Sequence, residues 1–347
     1  MPSITPGSSQ VSPAPGHGER ALIDRIRRRF PAPPVPLVVG IGDDAAVVKP
    51  ERGALQVLTT DALVEGVHFD RRYCSLADIG YRALAVNVSD IAAMGAAPRL
   101  ALLSLMLPEG IGVEDVEALA DGVAMMAAEA AVGIAGGNVT RTSGPLVVDM
   151  TVVGAVKPRK FLTRGGGRPG DIVYVSGSLG AAAAGLDWLR SRQAGPEGVP
   201  EDPGLAGCVD RYRRPVPRAR LGTLLGRTQT ARACMDVSDG LADGLRQLAQ
   251  ASGTGVRVDA ERLPIDPAAR RWFTAQGGDP VISSIASGDD YELLFAVPPK
   301  GGGRVKAVSR QARGLQLTPI GELTREPELA LMRNGQTEIL PSGFSHF

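Results

Sequence analysis

Apolar residues recur at Leu22, Ile23, Ile26 and Phe30 with arginines between them, and this spacing predicts a helix from Glu19. The run "PAPPVP" ends it, because proline cannot continue the hydrogen-bond ladder. Apolar runs of strand length follow in "LVVGIG", "AAVVK" and "ALQVLTTD". The stretch "LADIGYRALAVNVSDIAAMGA" predicts a helix whose small residues permit close packing. A strand in "RLALLSLMLP", a long helix in "GVEDVEALADGVAMMAAEAAVG" and a strand in "LVVDMTVVGAV" complete this half. Alternating strands and helices predict an α/β or α+β arrangement with helices covering a sheet.

A second half opens near Val156. "GDIVYVSG" predicts a strand, followed by an alanine-rich helix over Leu179 to Arg192. "QAGPEGVPEDPG" has no periodicity and predicts a loop. "ACMDVSDGLADGLRQLAQASG" passes from strand to helix, and "GVRVDAERLP" and "DDYELLFAVP" are further strands. "KGGGRVKAVSRQA" predicts a turn and a helix, with "LQLTPIGEL" as the last strand. The first 18 residues, rich in Pro, Ser and Gly, have little to bury and predict a disordered tail. The expected division is thus 1–18 as tail, 19–155 as one domain and 156–347 as another.

Composition narrows the chemistry. A length of 347 residues fits two domains, and 44% hydrophobic with 22% charged residues is ordinary for a globular chain. The formal net charge of +1 gives no global field for nucleic acid or anionic membrane, so a phosphate-bearing ligand needs a local site. Cys74, Cys208 and Cys234 are scattered, which points to a reducing compartment and away from a zinc site. No apolar run approaches the roughly 18 residues of a membrane helix, and the first residues lack a signal-peptide layout. The expected location is cytoplasmic.

Carboxylates follow apolar runs repeatedly. Asp43 and Asp44 come after "VVGIG", Asp61 after "LQVLTT", Asp90 after "LAVNVS", and Asp236 and Asp239 follow the strand leading into "MDVSDG". Ligands of open α/β sheets gather beyond strand ends, so these residues are expected to converge. Oxygen donors with almost no His or Cys suit Mg²⁺, which sits between a few carboxylates and substrate phosphates. At each position the alternative of a turn former or helix N-cap stays open, Ser238 included. There is no P-loop sequence, and the glycine runs in "RGGGRPGD" and "AGGN" read as turns. His68 in "EGVHF" suits either a structural hydrogen bond or a ligand contact.

"GIGDDAAV", "TTDALVEGVHF", "LAVNVSDIAAMGAAP", "FLTRGGGRPGD", "MDVSDGL", "SGDDYELLF" and "GFSHF" stand in an order that resembles the thiamine-monophosphate kinase family. The resemblance covers the chain from about Glu19 to Phe347. The wider superfamily includes aminoimidazole ribonucleotide synthetase, selenophosphate synthetase and a hydrogenase maturation factor. "TTDALVEGVHF" and "DYELLF" favour the thiamine-phosphate branch. The resemblance implies a two-domain α/β (α+β) fold, dimerising through N-terminal sheets that form a barrel. The implied reaction is ATP plus thiamine monophosphate giving ADP plus thiamine diphosphate, assisted by several Mg²⁺ ions.

Carried over by motif, the metal ligands would be Asp44, Asp61, Asp90 and Asp236, with oxygens from Thr59 and Thr60 and a further ion at Asp239. Asp44, Asp61, Asp90 and Asp236 would carry catalysis. Gly137, Asn138, Arg164 and Ser238 would meet ATP, while His68, Asp289 and Pro341 would border the thiamine phosphate. Three positions depart from the family pattern. Asn138 stands where an aspartate is usual, and its amide brings an oxygen without the charge, so one metal should bind more weakly. Asp289 replaces a glutamate and is one methylene shorter. Pro341 replaces an aromatic residue. Two other readings accompany the kinase: a nucleotide-binding paralogue with weakened catalysis, motivated by Asn138, and a related ATP-dependent enzyme with another acceptor, motivated by Asp289 and Pro341.

Overall fold

The computed structural model describes residues 19–30 and 37–343. The predicted tail, the proline run "PAPPVP" and the terminal "FSHF" lie outside the described residues. The first helix, α1 (Glu19–Arg29), forms as expected, but its arginines are not simply solvated. Arg25 and Arg29 both donate to Glu117, at 2.9 and 2.8 Å, and tie α1 to the long helix α3 (Val113–Ala130).

Between them lie the short strands β1 (Leu37–Val39) and β2 (Val47–Val48), then β3 (Leu55–Val64), helix α2 (Leu76–Ala93) and β4 (Ala97–Leu107). After α3 come β5 (Gly133–Arg141) and β6 (Val147–Val156). Strands β3, β6, β4 and β5 form one sheet in that order. The β4–β5 pair is parallel and is joined by α3, as a parallel pair requires a crossover. "AGGN" is therefore not a turn: Gly136, Gly137 and Asn138 lie within β5, paired with Leu102, Leu103 and Ser104.

Helix α2 is buried on nearly all sides, and its start is fixed by a capping box. Ser75 Oγ accepts from the Asp78 amide at 3.1 Å, and Asp78 Oδ2 accepts from the Ser75 amide at 3.2 Å. Its contact with α3 is made at the backbone. A Cβ on Gly80 would stand 2.0 Å from Leu119 O, and one on Gly122 would stand 1.8 Å from Ala77 O. Only glycines permit that approach.

The second sheet has seven strands: β7 (Ile172–Ser176), β8 (Ala233–Asp236), β9 (Gly255–Asp259), β10 (Leu293–Val297), β11 (Leu317–Thr324), β12 (Leu329–Arg333) and β13 (Gln336–Ile339). Their spatial order is β13-β12-β9-β11-β7-β10-β8. Helix α4 (Ala181–Arg192) follows β7, and α7 (Leu241–Ser252) follows β8, as the patterning predicts. Four helices escaped it: α5 (Pro203–Arg213), α6 (Ala219–Thr228), α8 (Pro267–Ala275) and α9 (Pro280–Ala286). Three of these open on Asp-Pro, where Asp202, Asp266 or Asp279 caps the first turn and proline occupies its first position. The loop expected over "QAGPEGVPEDPG" therefore gives way to helix at Pro203, and no element was expected around Pro267 or Pro280. The sequence reading also took β11 as the last strand, whereas a β12–β13 hairpin turning at Asn334–Gly335 extends the sheet. Helix α10 (Gly302–Gln311) completes the set.

The two halves share cores. Tyr212 and Tyr291 of the second half belong to the cluster around α2 and the first sheet, while Ala92 and Ala93 of α2 pack with α6, β8 and β10. Helix α2 is thus the common wall between the sheets.

Candidate active site

The wall formed by α2 borders a cavity of about 1050 Å³. At one end are Asp61, Asp90, Asp236, Asp239, Ser238 and Arg164; His68, Asp70, Arg72 and Arg190 are also in the lining, as are Asp289 and Tyr291. Eight residues singled out from the sequence therefore meet: Asp61, His68, Asp90, Arg164, Asp236, Ser238, Asp239 and Asp289.

The elements that deliver them are not all those expected. Asp236 ends β8, as the strand-end argument requires, but Asp61 lies inside β3 and Asp90 in the last turn of helix α2. Asp61 reaches the cavity because it is opposite buried Met150 of β6, on the sheet face turned to α2. Thr59, on that same face by the strand's two-residue period, donates to Asp90 Oδ2 at 2.5 Å. Ser89 Oγ donates to Asp236 Oδ2 at 2.7 Å, linking α2 to the second sheet.

Burial and mutual repulsion raise the acidic groups. Burial, then Asp90, Asp149 and Asp239, pushes Asp61 up to about 7. Asp90 is raised chiefly by burial, against the Thr59 hydrogen bond and Arg164. Asp236 is pushed up to about 7 by burial and by Asp90, partly opposed by the Ser89 hydrogen bond and Arg164. Among the described residues, none of these three has a basic side chain at ion-pair distance. Arg164 Nη1 instead donates to Gln247 at 2.6 Å.

The donor chemistry fits a hard divalent cation: carboxylate and hydroxyl oxygens held close, with no basic side chain of the described residues at ion-pair distance from Asp61, Asp90 or Asp236. Among the described residues, however, no three His, Cys, Asp or Glu side chains already converge as a metal cage. A cation that shares its shell with substrate phosphates and water, as Mg²⁺ usually does, matches both observations.

The neighbouring Asp289–Glu292 segment is compensated. Glu292, fully buried, accepts from Ser176 Oγ at 2.5 Å, Arg211 Nη2 at 3.0 Å and Arg218 Nε at 2.6 Å. Both oxygens of buried Asp290 accept from the Gly180 amide at 3.0 Å. Asp289 pairs with Arg82, and both Asp289 and Tyr291 adopt positive φ, +72° and +50°. Such backbone at two non-glycine residues costs on the order of 1 kcal/mol or more each, so packing must impose it. His68 Nδ1 accepts from the Val64 amide at 3.1 Å, a structural bond within a cavity-lining residue.

Other sequence candidates stand elsewhere. Asp43 and Asp44 are exposed in a bend between β1 and β2, where Asp43 Oδ1 accepts from the Asp44 amide at 2.9 Å. They do not line the cavity. Thr60, opposite Thr151, and Asn138, opposite Ser104, share the outer face of the four-stranded sheet, away from Asp61. The two-residue side-chain period of a strand decides this. Gly137 is also outside the lining. Pro341 accepts from Arg246 through its carbonyl at 3.2 Å, whereas Gly343 reaches the cavity.

Two family models cover most of the chain: the AIR synthase related protein N-terminal domain over residues 42–156 and its C-terminal domain over 168–334. The thiamine-monophosphate kinase of Salmonella typhimurium is 36% identical over 333 residues, spanning 95% of this chain and 98% of its own. The chain belongs to the thiamine-monophosphate kinase family. The Bacillus subtilis thiamine-monophosphate kinase is 33% identical, covering 89% and 93% of the two chains. The solved thiamine-monophosphate kinase of Stenotrophomonas maltophilia superposes with a TM-score of 0.82 at 35% identity, over 93% of this chain and 98% of that one. AaThiL complexed with AMPPCP and TMP does so with a TM-score of 0.75 at 32% identity, over 98% and 100%. The two-domain α/β fold is thereby established.

Several cavity residues were not anticipated. Arg82, Arg190, Tyr212 and Tyr291 line it, and Asp149 adds to the charge on Asp61. Arg82 carried a signal in retrospect: an arginine in an otherwise apolar helical stretch demands a buried partner.

Proposed function

We propose that this chain transfers the terminal phosphoryl group of ATP to thiamine monophosphate, giving thiamine diphosphate and ADP. The observation that carries this reading is the single cavity that gathers Asp61, Asp90, Asp236 and Asp239 with Arg164, Ser238 and Asp289. Similarity to a solved chain holding AMPPCP, an ATP analogue, together with TMP supports both substrates. The alternative of a binding protein without catalysis is not favoured, since Asp61, Asp90, Asp236 and Asp239 share one cavity.

The acceptor's phosphate oxygen is already anionic near neutrality, so the reaction needs no strong general base. What it needs is alignment of two polyanions and neutralisation of spreading charge. Asp61, Asp90, Asp236 and Asp239, with Thr59 beside Asp90, would hold Mg²⁺; when bound, the ion neutralises phosphate charge during transfer. Arg164 and Ser238 approach the nucleotide phosphates, and Arg164 offers the transition state a fixed positive charge. His68 and Asp289 border the acceptor. Asp44, Thr60, Gly137, Asn138 and Pro341 stand outside this cavity and receive no step here.

The working protein is proposed to be a cytoplasmic homodimer of two-domain subunits, 19–155 and 156–347. Leu58, 66% exposed, and Leu102, 41% exposed, share the outer face of the four-stranded sheet and support pairing there. Among the described residues no helix is long and apolar enough to cross a membrane.

The test is ADP release with ATP and Mg²⁺, with and without thiamine monophosphate, while thiamine diphosphate is followed by chromatography. Equal amounts of ADP and thiamine diphosphate are expected. ADP without thiamine diphosphate would point to another acceptor, and neither product with ATP binding intact would overturn the kinase.

A further inference from the structure

Resting on that reading, we propose that Arg82 is a positioning residue for the acceptor, acting through Asp289. Arg82 projects from α2 and is only 2% exposed. Its Nη1 donates to Tyr212 O at 2.5 Å, and its Nη2 pairs with Asp289 Oδ1. The guanidinium carbon lies 5.1 Å from the Tyr212 ring centroid and 6.0 Å from that of Tyr291. Among the described residues Nε has no hydrogen-bond partner, so this cation is held for what its Nη atoms reach. A buried arginine whose one carboxylate partner lines a substrate-sized cavity is a poor choice for stability alone, because desolvation offsets much of the pair's attraction.

Arg82, Tyr212, Tyr291 and Asp289 all border the cavity, but of the ion pair it is Asp289 that is open to it, with 29% of its side chain exposed against 2% for Arg82. Its hydrogen bonds from Arg82 and, at 3.4 Å, from the Tyr291 hydroxyl both fall on Oδ1. Among the described residues no hydrogen bond falls on Oδ2, which leaves it as the oxygen for a ligand. The Asp289 amide donates to Ser238 O at 2.7 Å, and a Cβ on Gly288 would stand 2.2 Å from that same carbonyl. The segment bearing Asp289 therefore rests directly on the Ser238–Asp239 segment of the carboxylate end. Arg82 fixes the positive-φ backbone at Asp289 from the other domain, and so sets the distance from the acceptor to the nucleotide. The side chain is one methylene shorter than glutamate, so its reach depends on this anchoring.

The test is steady-state kinetics with ATP and thiamine monophosphate varied separately, for Arg82→Gln, Arg82→Lys, Asp289→Asn and the Arg82→Gln/Asp289→Asn double variant. Loss of a charge-assisted contact predicts a KM for thiamine monophosphate raised about 10- to 100-fold. The KM for ATP should hold near wild type, kcat should fall less than that KM rises, and Arg82→Lys should recover part of the loss. The double variant should be no worse than Asp289→Asn alone. Effects that multiply in the double variant, or that raise both KM values together, would overturn the proposal. If Arg82→Gln does not fold, Arg82→Lys in the Asp289→Asn background makes the same comparison. If the wild-type protein forms no thiamine diphosphate, the functional reading fails, and calorimetric binding of thiamine monophosphate to the same variants still decides the role of Arg82.

Discussion

Two sets of buried or half-buried carboxylates line or flank one cavity, and the fold treats them oppositely. Glu292 and Asp289 are met by arginines: Arg211 and Arg218 at the first, Arg82 at the second. Asp61, Asp90 and Asp236 receive hydroxyl hydrogen bonds and a neighbouring Arg164, yet burial and mutual repulsion raise all three. A protein that can bury an ion pair at Glu292 could have done so at Asp61. Leaving the charge uncompensated reserves it for something that arrives with the substrate.

The sharpest way to break this contrast is to remove a member of the uncompensated set. Asp61→Ala or Asp90→Ala should lower turnover by at least about 10²- to 10³-fold, the scale of removing one transition-state charge contact, while the protein stays folded. Near-normal turnover in either folded variant would sink the metal assignment. Glu292→Ala should act on stability instead. It strands two largely buried guanidinium groups, and a loss of about 3–5 kcal/mol in denaturant unfolding is expected. Unchanged stability would mean that Arg211 and Arg218 reach solvent.

A smaller effect separates the two sets by pH. The folded-state pKa of Asp61, about 7, lies above its ordinary 3.8, so between those values the folded protein binds more protons than the unfolded one. The contribution of Asp61 to stability is therefore present at low pH and is lost as pH rises through about 7. With EDTA, the melting temperature of wild type relative to Asp61→Asn should fall between pH 5 and pH 8, and Mg²⁺ should restore it at pH 8. A gap that ignores both pH and Mg²⁺ would show that Asp61 is not among the raised groups. The smallest change is expected from Asn138→Asp, on the outer face of the sheet: within about 0.5 kcal/mol in stability, with an unchanged Mg²⁺ titration. A tightened titration would bring that face into the site.

Local signals did most of their work where the apolar pattern was unambiguous. Helix α3, β4, β6 and α7 were legible because their burial repeats at the helical or strand period, and α2 and β8 because they are continuous runs of mostly apolar or small residues. The Asp-Pro helices α5, α8 and α9 were not, since one proline both breaks a helix interior and opens a first turn. Strand β5 was hidden by "AGGN", where a glycine run belongs to a tightly paired strand. The presence of an acidic site was legible from several aspartates in a chain almost without histidine.

By itself, then, the sequence determined the α/β class, the two-part division it predicts, the oxygen-rich donor set and, by ordered motifs, the family. Only the tertiary structure decided which aspartates share a cavity and which are neutralised there. Asp61 and Thr60 are adjacent in the chain and face opposite sides of one sheet. Arg82 and Asp289 are 207 residues apart and make one ion pair. Side-chain direction follows from local strand period, but which partner waits on each face depends on α2 packing between two sheets. Long-range contact, rather than local propensity, sets that.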